Sequence, residues 1–272
     1  MKENIRLNNV DRFTGFASLY DRNRPRPPLE VIKIITKYLG DTPKKLIDVG
    51  CGTGLSSFIW MNEAAQIIGV EPNDDMLAAA VANWEKIKKP SNLQFIKGFS
   101  NQLGSASESV DVVTCSQSFH WMEPESTLKE FARVLRTGGV FAAYDCDWPP
   151  AFDWTIEDQY KKIISHADKL IQQLAPMEEH SYKWDKNKHL QNIEESGLFR
   201  FSREIVFHHW ESCDADRYTN IALSQGGLQT ALKKGADELL TQAEIFRKNV
   251  TEAFAGTSQD ILFSYRMRLG VK

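Results

Sequence analysis

The stretch Leu46-Ile47-Asp48-Val49-Gly50-Cys51-Gly52-Thr53-Gly54-Leu55 constrains this chain more than any other. It reads as a short buried strand running straight into a turn with glycines at alternate positions. Glycine removes the Cβ and allows φ > 0 where a chain bends sharply, so a ligand can lie against bare backbone. A helix expected over 54–64 presents its free N–H groups at the same spot. A second apolar run, Gln66-Ile67-Ile68-Gly69-Val70, ends on Glu71. A carboxylate at the tip of a second strand accepts hydrogen bonds from two ribose hydroxyls. Turn and acid together describe a pocket for a nucleoside-containing cofactor.

The spacing narrows the cofactor. A dinucleotide fingerprint is G-x-G-x-x-G. Here it is G-x-G-x-G, with Leu55 where the third dinucleotide glycine would stand. Asp48, just before the loop, suits a positively charged amino group on the ligand better than a pyrophosphate. A nicotinamide-dependent oxidoreductase is therefore the alternative reading, disfavoured by the missing glycine. A chance glycine turn is a further alternative, and the placement of Glu71 argues against it.

The chain has 272 residues and a net charge of −3, enough for one large domain or a domain with an appended cap. The charge makes no case for nucleic acid. The start, Met1-Lys2-Glu3-Asn4, is polar, so no signal peptide is expected. No apolar run approaches membrane-spanning length. Cys51, Cys115, Cys146 and Cys213 form no C-x-x-C pair. Reduced thiols in a cytoplasm-like compartment and no metal site are expected. Cys51 is a small residue in a tight turn, better explained by packing than by nucleophilic chemistry.

Strands and helices alternate through the first half, the pattern of a parallel sheet. A helix is expected over 28–39, strands over 45–49 and 66–70, and a helix from the cap Asn73 to about Lys88. Strands follow over 93–97 and 110–115, then a helix from Pro124 to Leu135, closed by Gly138-Gly139, and a strand over 140–144. Beyond Trp148-Pro149-Pro150 the character changes. Residues 155–175 and about 214–256 read as amphipathic helix, with strands over 201–210 and 261–269. The simplest assembly is a seven-stranded sheet whose last two strands pair antiparallel. The helical segments are then insertions over its carboxyl edge, where open α/β sheets bind ligands.

The pattern D-V-G-C-G-T-G resembles the first motif of class I S-adenosylmethionine-dependent methyltransferases. Within that class the chain is similar to the small-molecule branch that includes the trans-aconitate methyltransferases. Four segments carry the likeness: the glycine motif, Glu71, Arg133-Val134-Leu135-Arg136-Thr137-Gly138-Gly139, and Gln117-Ser118-Phe119-His120-Trp121. The N-terminal Tyr20-x-x-x-Arg24-Pro25 also matches. The resemblance implies a Rossmann-like α/β fold with a mostly parallel sheet. It implies an N-terminal helical lid over 1–40, a cofactor core over 41–148, and helical cap insertions with the completing strands over 149–272.

It also assigns roles. Gly50, Gly52 and Gly54, with Cys51 and Thr53 between them, would let the backbone approach the methionine part and ribose of S-adenosyl-L-methionine. Asp48 would meet its ammonium, directly or through water, and Ser116 would offer a carbonyl. Glu71 would hold the ribose. Pro72 and Met76 would pack on the adenine. Tyr20 and Arg24 would belong to a segment folding over the cofactor or meet an acidic acceptor. Where the family often has Gly-Asp-Ala, this chain has Gly98-Phe99-Ser100. Phe99 can cover the adenine face, which leaves its edge to the Ser100 backbone.

Methyl transfer from a sulfonium needs alignment and a dry site more than covalent help. A base is needed only for an acceptor that is protonated at working pH. His120 is the candidate base, with backbone-bonded loop shaping as its other reading, and Trp121 is a candidate pocket wall. A small-molecule acceptor, a carboxylate as in the trans-aconitate branch, needs no base. A non-catalytic cofactor-binding protein is the alternative that Phe99 keeps open. His208 and His209 face opposite sides of a strand and His180 and His189 are isolated, so no metal site is expected. Arg266 and Arg268 read as exposed edge charges.

Overall fold

The computed structural model describes residues 2–15, 17–174, 176 and 180–272. Met1 and Phe16 of the expected lid, and Ala175 at the end of an expected helix, lie outside them. The apolar runs form seven strands: β1 (Lys45–Val49), β2 (Gln66–Glu71), β3 (Leu93–Lys97), β4 (Val110–Ser116), β5 (Leu135–Cys146), β6 (Phe201–Cys213) and β7 (Gln259–Val271). They form one sheet in the order β3-β2-β1-β4-β5-β7-β6. β3, β2, β1, β4 and β5 pair in parallel. β7 runs against β5: Gly138 and Gly139 exchange bonds with Lys272 at 2.8 and 3.0 Å, while Asp147 donates to Ser264 at 2.8 Å. This is the seven-stranded, mostly parallel sheet with antiparallel last strands that the sequence pattern predicts.

The chain divides into two compact units. One comprises residues 26–145, 183–207 and 266–272, and the other 1–25, 146–182 and 208–265. Each unit is therefore built from three separate stretches of the chain. Residues 26–40 join the first unit because helix Glu30–Leu39 buries Val31, Ile32 and Ile35 in its core. The chain returns to the same unit twice, to supply parts of β6 and β7.

Period-2 alternation sorts the β-strands of the first unit between two cores. Ile47, Val49, Ile68, Val70 and Val113 pack with Phe119, Phe131 and Phe141. Leu46, Ile67, Val112, Val140 and Ala142 pack with Trp60, Met267 and Leu269. Residues that are nearly all apolar on both faces mark strands covered on both sides. In the second unit, helices Trp154–Leu174, Ala215–Leu223, Gly226–Lys233 and Glu238–Phe254 enclose Tyr160, Tyr218, Phe246 and Phe254. The Phe152 and Phe254 rings lie 4.5 Å apart there.

Three local expectations are corrected. The helix expected over 54–64 is one turn, Leu55–Phe58. Trp60, Met61 and Glu63 instead bond to carbonyls three residues back, and Asn92 takes the carbonyls of Met61 and Ala64. Gly138 and Gly139 do not close helix Pro124–Val134, because the backbone is already extended at Leu135, with ψ 134°. The glycines lie inside β5 instead, where a Cβ on Gly139 would stand 2.9 Å from the Arg136 carbonyl oxygen. Arg268 is no exposed edge charge. It is 3% exposed, on a strand flanked by β5 and β6.

Candidate active site

The glycine turn leaves the carboxyl end of β1 beside the end of β2. The N–H groups of Gly50 and Cys51 both donate to the Val70 carbonyl, which draws the turn over the neighbouring strand. Glu71 completes the link. Its Oε2 accepts the Gly52 N–H and its Oε1 the Asn73 N–H, each at 2.9 Å. The acid therefore holds the loop and the start of helix Asp74–Lys86 together. Burial raises the Glu71 carboxyl to about 7, against the two N–H bonds that pull it down. A carboxylate has about four lone-pair positions, so two remain for further donors.

The three glycines do different things. All have positive φ: 67° at Gly50, 56° at Gly52 and 91° at Gly54. A Cβ on Gly50 would stand 2.7 Å from the Ser118 Cβ, and one on Gly54 would stand 2.8 Å from Phe95. Those two let the chain close on itself. A Cβ on Gly52 would meet nothing within 4 Å. Gly52 alone borders open space, and is the one place in the turn where bare backbone faces outward.

Asp48 is wholly buried. Its Oδ2 accepts the hydroxyls of Ser56 and Ser57, both at 2.6 Å, and its Oδ1 that of Thr114 at 3.0 Å. In this structure the side chain faces those hydroxyls and not an open ligand position. Burial pushes its carboxyl up despite them. Cys51 is buried as well, and burial with nearby Glu71 and Asp48 lifts its thiol well above the ordinary value. That makes it inert, as packing in a turn requires. The Thr53 hydroxyl is buried without a hydrogen-bond partner.

Around the turn, Pro72 is half-buried and Met76 is buried on the first turn of helix Asp74–Lys86. Phe99 is half-buried and pairs with Gln102 across a tight bend. Ser100 bonds through its hydroxyl to Thr127 at 2.8 Å. Ser116 ends β4 and is half-buried. Tyr20 and Arg24 belong to the other unit. There the Arg24 guanidinium lies over the rings of Tyr20 and Trp148, at 5.0 and 4.8 Å, and donates to Gln225 at 3.0 Å.

His120 and Trp121 form a short turn after β4, their rings 4.7 Å apart. His120 is 4% exposed. Its Nδ1 is 3.5 Å from Asp145 at the end of β5, and the same carboxylate oxygen is 2.6 Å from Lys186 Nζ. Arg268 approaches the other oxygen at 3.7 Å. His189 is fully buried, 6.4 Å from the His120 ring. Burial, then Lys186, lowers His120 to about 3 against the pull of Asp145. Burial likewise lowers His189 to about 4. Burial alone would raise Asp145, but Lys186 and His120 hold it well below the carboxylate range.

The sequence did not disclose this cluster. Asp145, Lys186 and His189 are distant from His120 along the chain: the parallel pairing of β4 and β5 brings Asp145 beside it, and the returning segment 183–189 brings Lys186 and His189. Phe95, which packs against both Gly54 and Gly69, was also missed. An aromatic residue in the strand beside a glycine is the signal that could have found it.

The turn fits a nucleoside-bearing ligand at three points: open space at Gly52, spare lone pairs on Glu71 and the unpartnered Thr53 hydroxyl. Residues 47–143 match the family described as Methyltransferase domain. The chain is 32% identical over 124 residues to a probable S-adenosylmethionine-dependent methyltransferase of Saccharomyces cerevisiae, covering 45% of this chain and 43% of that protein. The chain thus spans about half the length of the curated relatives it matches. A putative type II methyltransferase from Anaeromyxobacter dehalogenans has a TM-score of 0.64 at 17% identity, covering 91% of this chain and 97% of that one. A Haemonchus contortus N-methyltransferase, solved with phosphomonomethylethanolamine and S-adenosylhomocysteine, has a TM-score of 0.53 at 16% identity, covering 97% and 60%.

Proposed function

We propose that this chain, whose residues 47–143 match the family described as Methyltransferase domain, is a class I S-adenosylmethionine-dependent methyltransferase that transfers a methyl group from S-adenosyl-L-methionine to a small-molecule acceptor. The observation that supports this reading is the Gly52–Glu71 bond, which sets open backbone beside a carboxylate with lone pairs to spare. When bound, the cofactor supplies an activated methyl group, so the protein need only bind, align and exclude water.

Each residue then has a physical task. Glu71 accepts the ribose hydroxyls on its remaining lone pairs. Gly52 admits the ligand against its backbone, and the Thr53 hydroxyl gains a partner. Asp48 acts through Ser56, Ser57 and Thr114, which fix the turn, and meets the ammonium only through an intervening water. The Ser116 carbonyl is a direct acceptor for that ammonium. Pro72 and Phe99 cover the adenine from two sides, with Met76 packed beneath. The backbone of Ser100 reads the adenine edge.

The acceptor that best suits the site is a carboxylate, in the manner of the trans-aconitate branch. An ionised carboxylate attacks the methyl group without losing a proton. His120, buried and held neutral, is then a shaping group and Trp121 a wall. Among the described residues no helix is long and apolar enough to cross a membrane, and the cytoplasmic location proposed here rests on a sequence whose four cysteines form no C-x-x-C pair.

The test is transfer of label from methyl-labelled S-adenosylmethionine across a panel of small carboxylic acids. Base-labile label, as in a methyl ester, is the expected product. Binding of S-adenosylhomocysteine with no transfer to acids, phenols, amines or thiols would favour the non-catalytic alternative.

A further inference from the structure

The segment 183–189 re-enters the sheet-bearing unit directly onto the loop after β4. It attaches at several points. The Trp184 N–H donates to the His120 carbonyl at 2.9 Å. Lys186 Nζ lies 2.6 Å from Asp145 and donates to the Gln117 side chain at 3.3 Å. Lys183 sits over the Trp121 ring at 5.9 Å, and His189 meets the Phe119 ring edge-on at 4.8 Å. Gln117 has φ 55°, a left-handed conformation that an L-residue keeps only when its surroundings hold it there. Lys186 is the group that reaches both this strained residue and the carboxylate beside His120.

Both His189 ring nitrogens are buried without a hydrogen-bond partner, and the two histidines and the Asp145 carboxylate lie close enough to share a metal ion. The charge around them argues against one. Lys186 and Arg268 already stand as counter-cations to Asp145. A divalent ion would add two positive charges to a buried group that is already paired, at a cost in desolvation and repulsion.

We propose that Lys186 is a positioning residue for methyl transfer, fixing the 117–121 loop by bridging Gln117 and Asp145 so that His120 and Trp121 stand in one arrangement. The proposal rests on the reading of this loop as part of a methyl-transfer site. Its physical content is electrostatic as well as steric. The charged and titratable groups around the His120–Asp145 pair are Lys183 and Lys186 on the returning segment, His189, and Arg268 on β7, which faces Asp145 and His189. Asp145 favours a charged imidazole and Lys186 opposes it. Removing Lys186 leaves Asp145 facing His120 with one counter-cation fewer, and the imidazole becomes easier to protonate.

The experiment compares the 272-residue chain with its Lys186→Met and Lys186→Arg variants, following histidine ring resonances by NMR from pH 5 to 8. His120 is assigned by its loss in His120→Asn. In the wild type the His120 signal is expected to stay constant across that range. In Lys186→Met it should begin to move at the acid end of the range, because one opposing cation is gone while burial still disfavours the charged imidazole, and Trp121 emission should shift. Lys186→Arg should restore the constant signal, because it keeps the cation if not the full geometry. A His120 signal equally constant in Lys186→Met would overturn the proposal, as would stoichiometric Zn²⁺ binding lost in His189→Ala. If Lys186→Met does not fold, Lys186→Arg decides: a titrating His120 there, with the charge retained, would also overturn it. S-adenosylhomocysteine affinity is measured on the same samples. No binding by wild type would sink the methyl-transfer reading while leaving the His120 result interpretable.

Discussion

Glu71→Gln separates the two tasks of the buried acid. In the wild type the carboxylate accepts two backbone N–H bonds, and burial raises it from 4.5 to about 7. At 1.36 kcal/mol per unit, keeping the charge above pH 7 costs about 3 kcal/mol of stability. Glutamine removes that cost, but its NH₂ faces one of the two N–H groups, a loss of about 1–3 kcal/mol. The two nearly offset, so the variant should melt close to the wild type at pH 8. The sign of the pH effect is fixed by the raised value. The full contribution of Glu71 to stability is present below pH 4.5 and is lost as pH rises through about 7. The variant should lose that slope in thermal melts. Cofactor binding behaves oppositely. Two hydroxyl bonds to a charged oxygen pair are worth at most about 2–4 kcal/mol, so S-adenosylhomocysteine should bind roughly 30- to 700-fold more weakly. In the wild type, affinity should also rise as pH passes 7 and the carboxylate forms. Calorimetry at pH 6 and 8 reads both effects. An affinity within threefold of wild type at pH 8, in a folded variant, would refute the placement of the ribose on Glu71.

Gly52→Val should abolish S-adenosylhomocysteine binding in calorimetry while the fold largely persists. Its Cβ meets open space, yet φ of 56° is strained for a β-branched residue and the branch points into the space proposed for the ligand. Gly54→Ala should instead destabilise the fold by about 1–3 kcal/mol in denaturant melts, since its Cβ would press on Phe95 and Phe58 at positive φ. His120→Asn should retain substantial turnover of a carboxylate acceptor, with little change in the pH profile. A loss of roughly 10²–10⁴-fold with cofactor affinity preserved would identify His120 as a base.

Much of the fold was legible because its strands are short apolar runs punctuated by glycine and proline. β1 and β3 fall where periodicity predicts. Boundaries failed where tertiary contacts override local signals. Leu55–Phe58 stops after one turn because Trp60 enters the core and Asn92 captures the following carbonyls. The pair Gly138-Gly139 looks like a helix stop but serves close packing within β5. At the site, a one-dimensional motif could pair Gly52 with Glu71 because both sit at adjacent strand ends. It could not separate Gly52 from Gly50 and Gly54, since that difference depends on Ser118 and Phe95 standing beside the turn. Nor could it foresee that Asp48 is enclosed by hydroxyls from two elements, or that Asp145, Lys186 and Arg268 converge beside His120. Those contacts depend on strand order and on the chain returning from the other unit.

If the Gly52–Glu71 turn holds S-adenosylmethionine, it does so in preference to a dinucleotide. Parallel calorimetric titrations of the wild-type chain with S-adenosylhomocysteine and with NAD test it most directly. One-site, saturable binding of S-adenosylhomocysteine that is lost in Gly52→Val, with no measurable heat from NAD, is the expected result. Binding of NAD in place of S-adenosylhomocysteine, or S-adenosylhomocysteine binding indifferent to Gly52→Val, would contradict it.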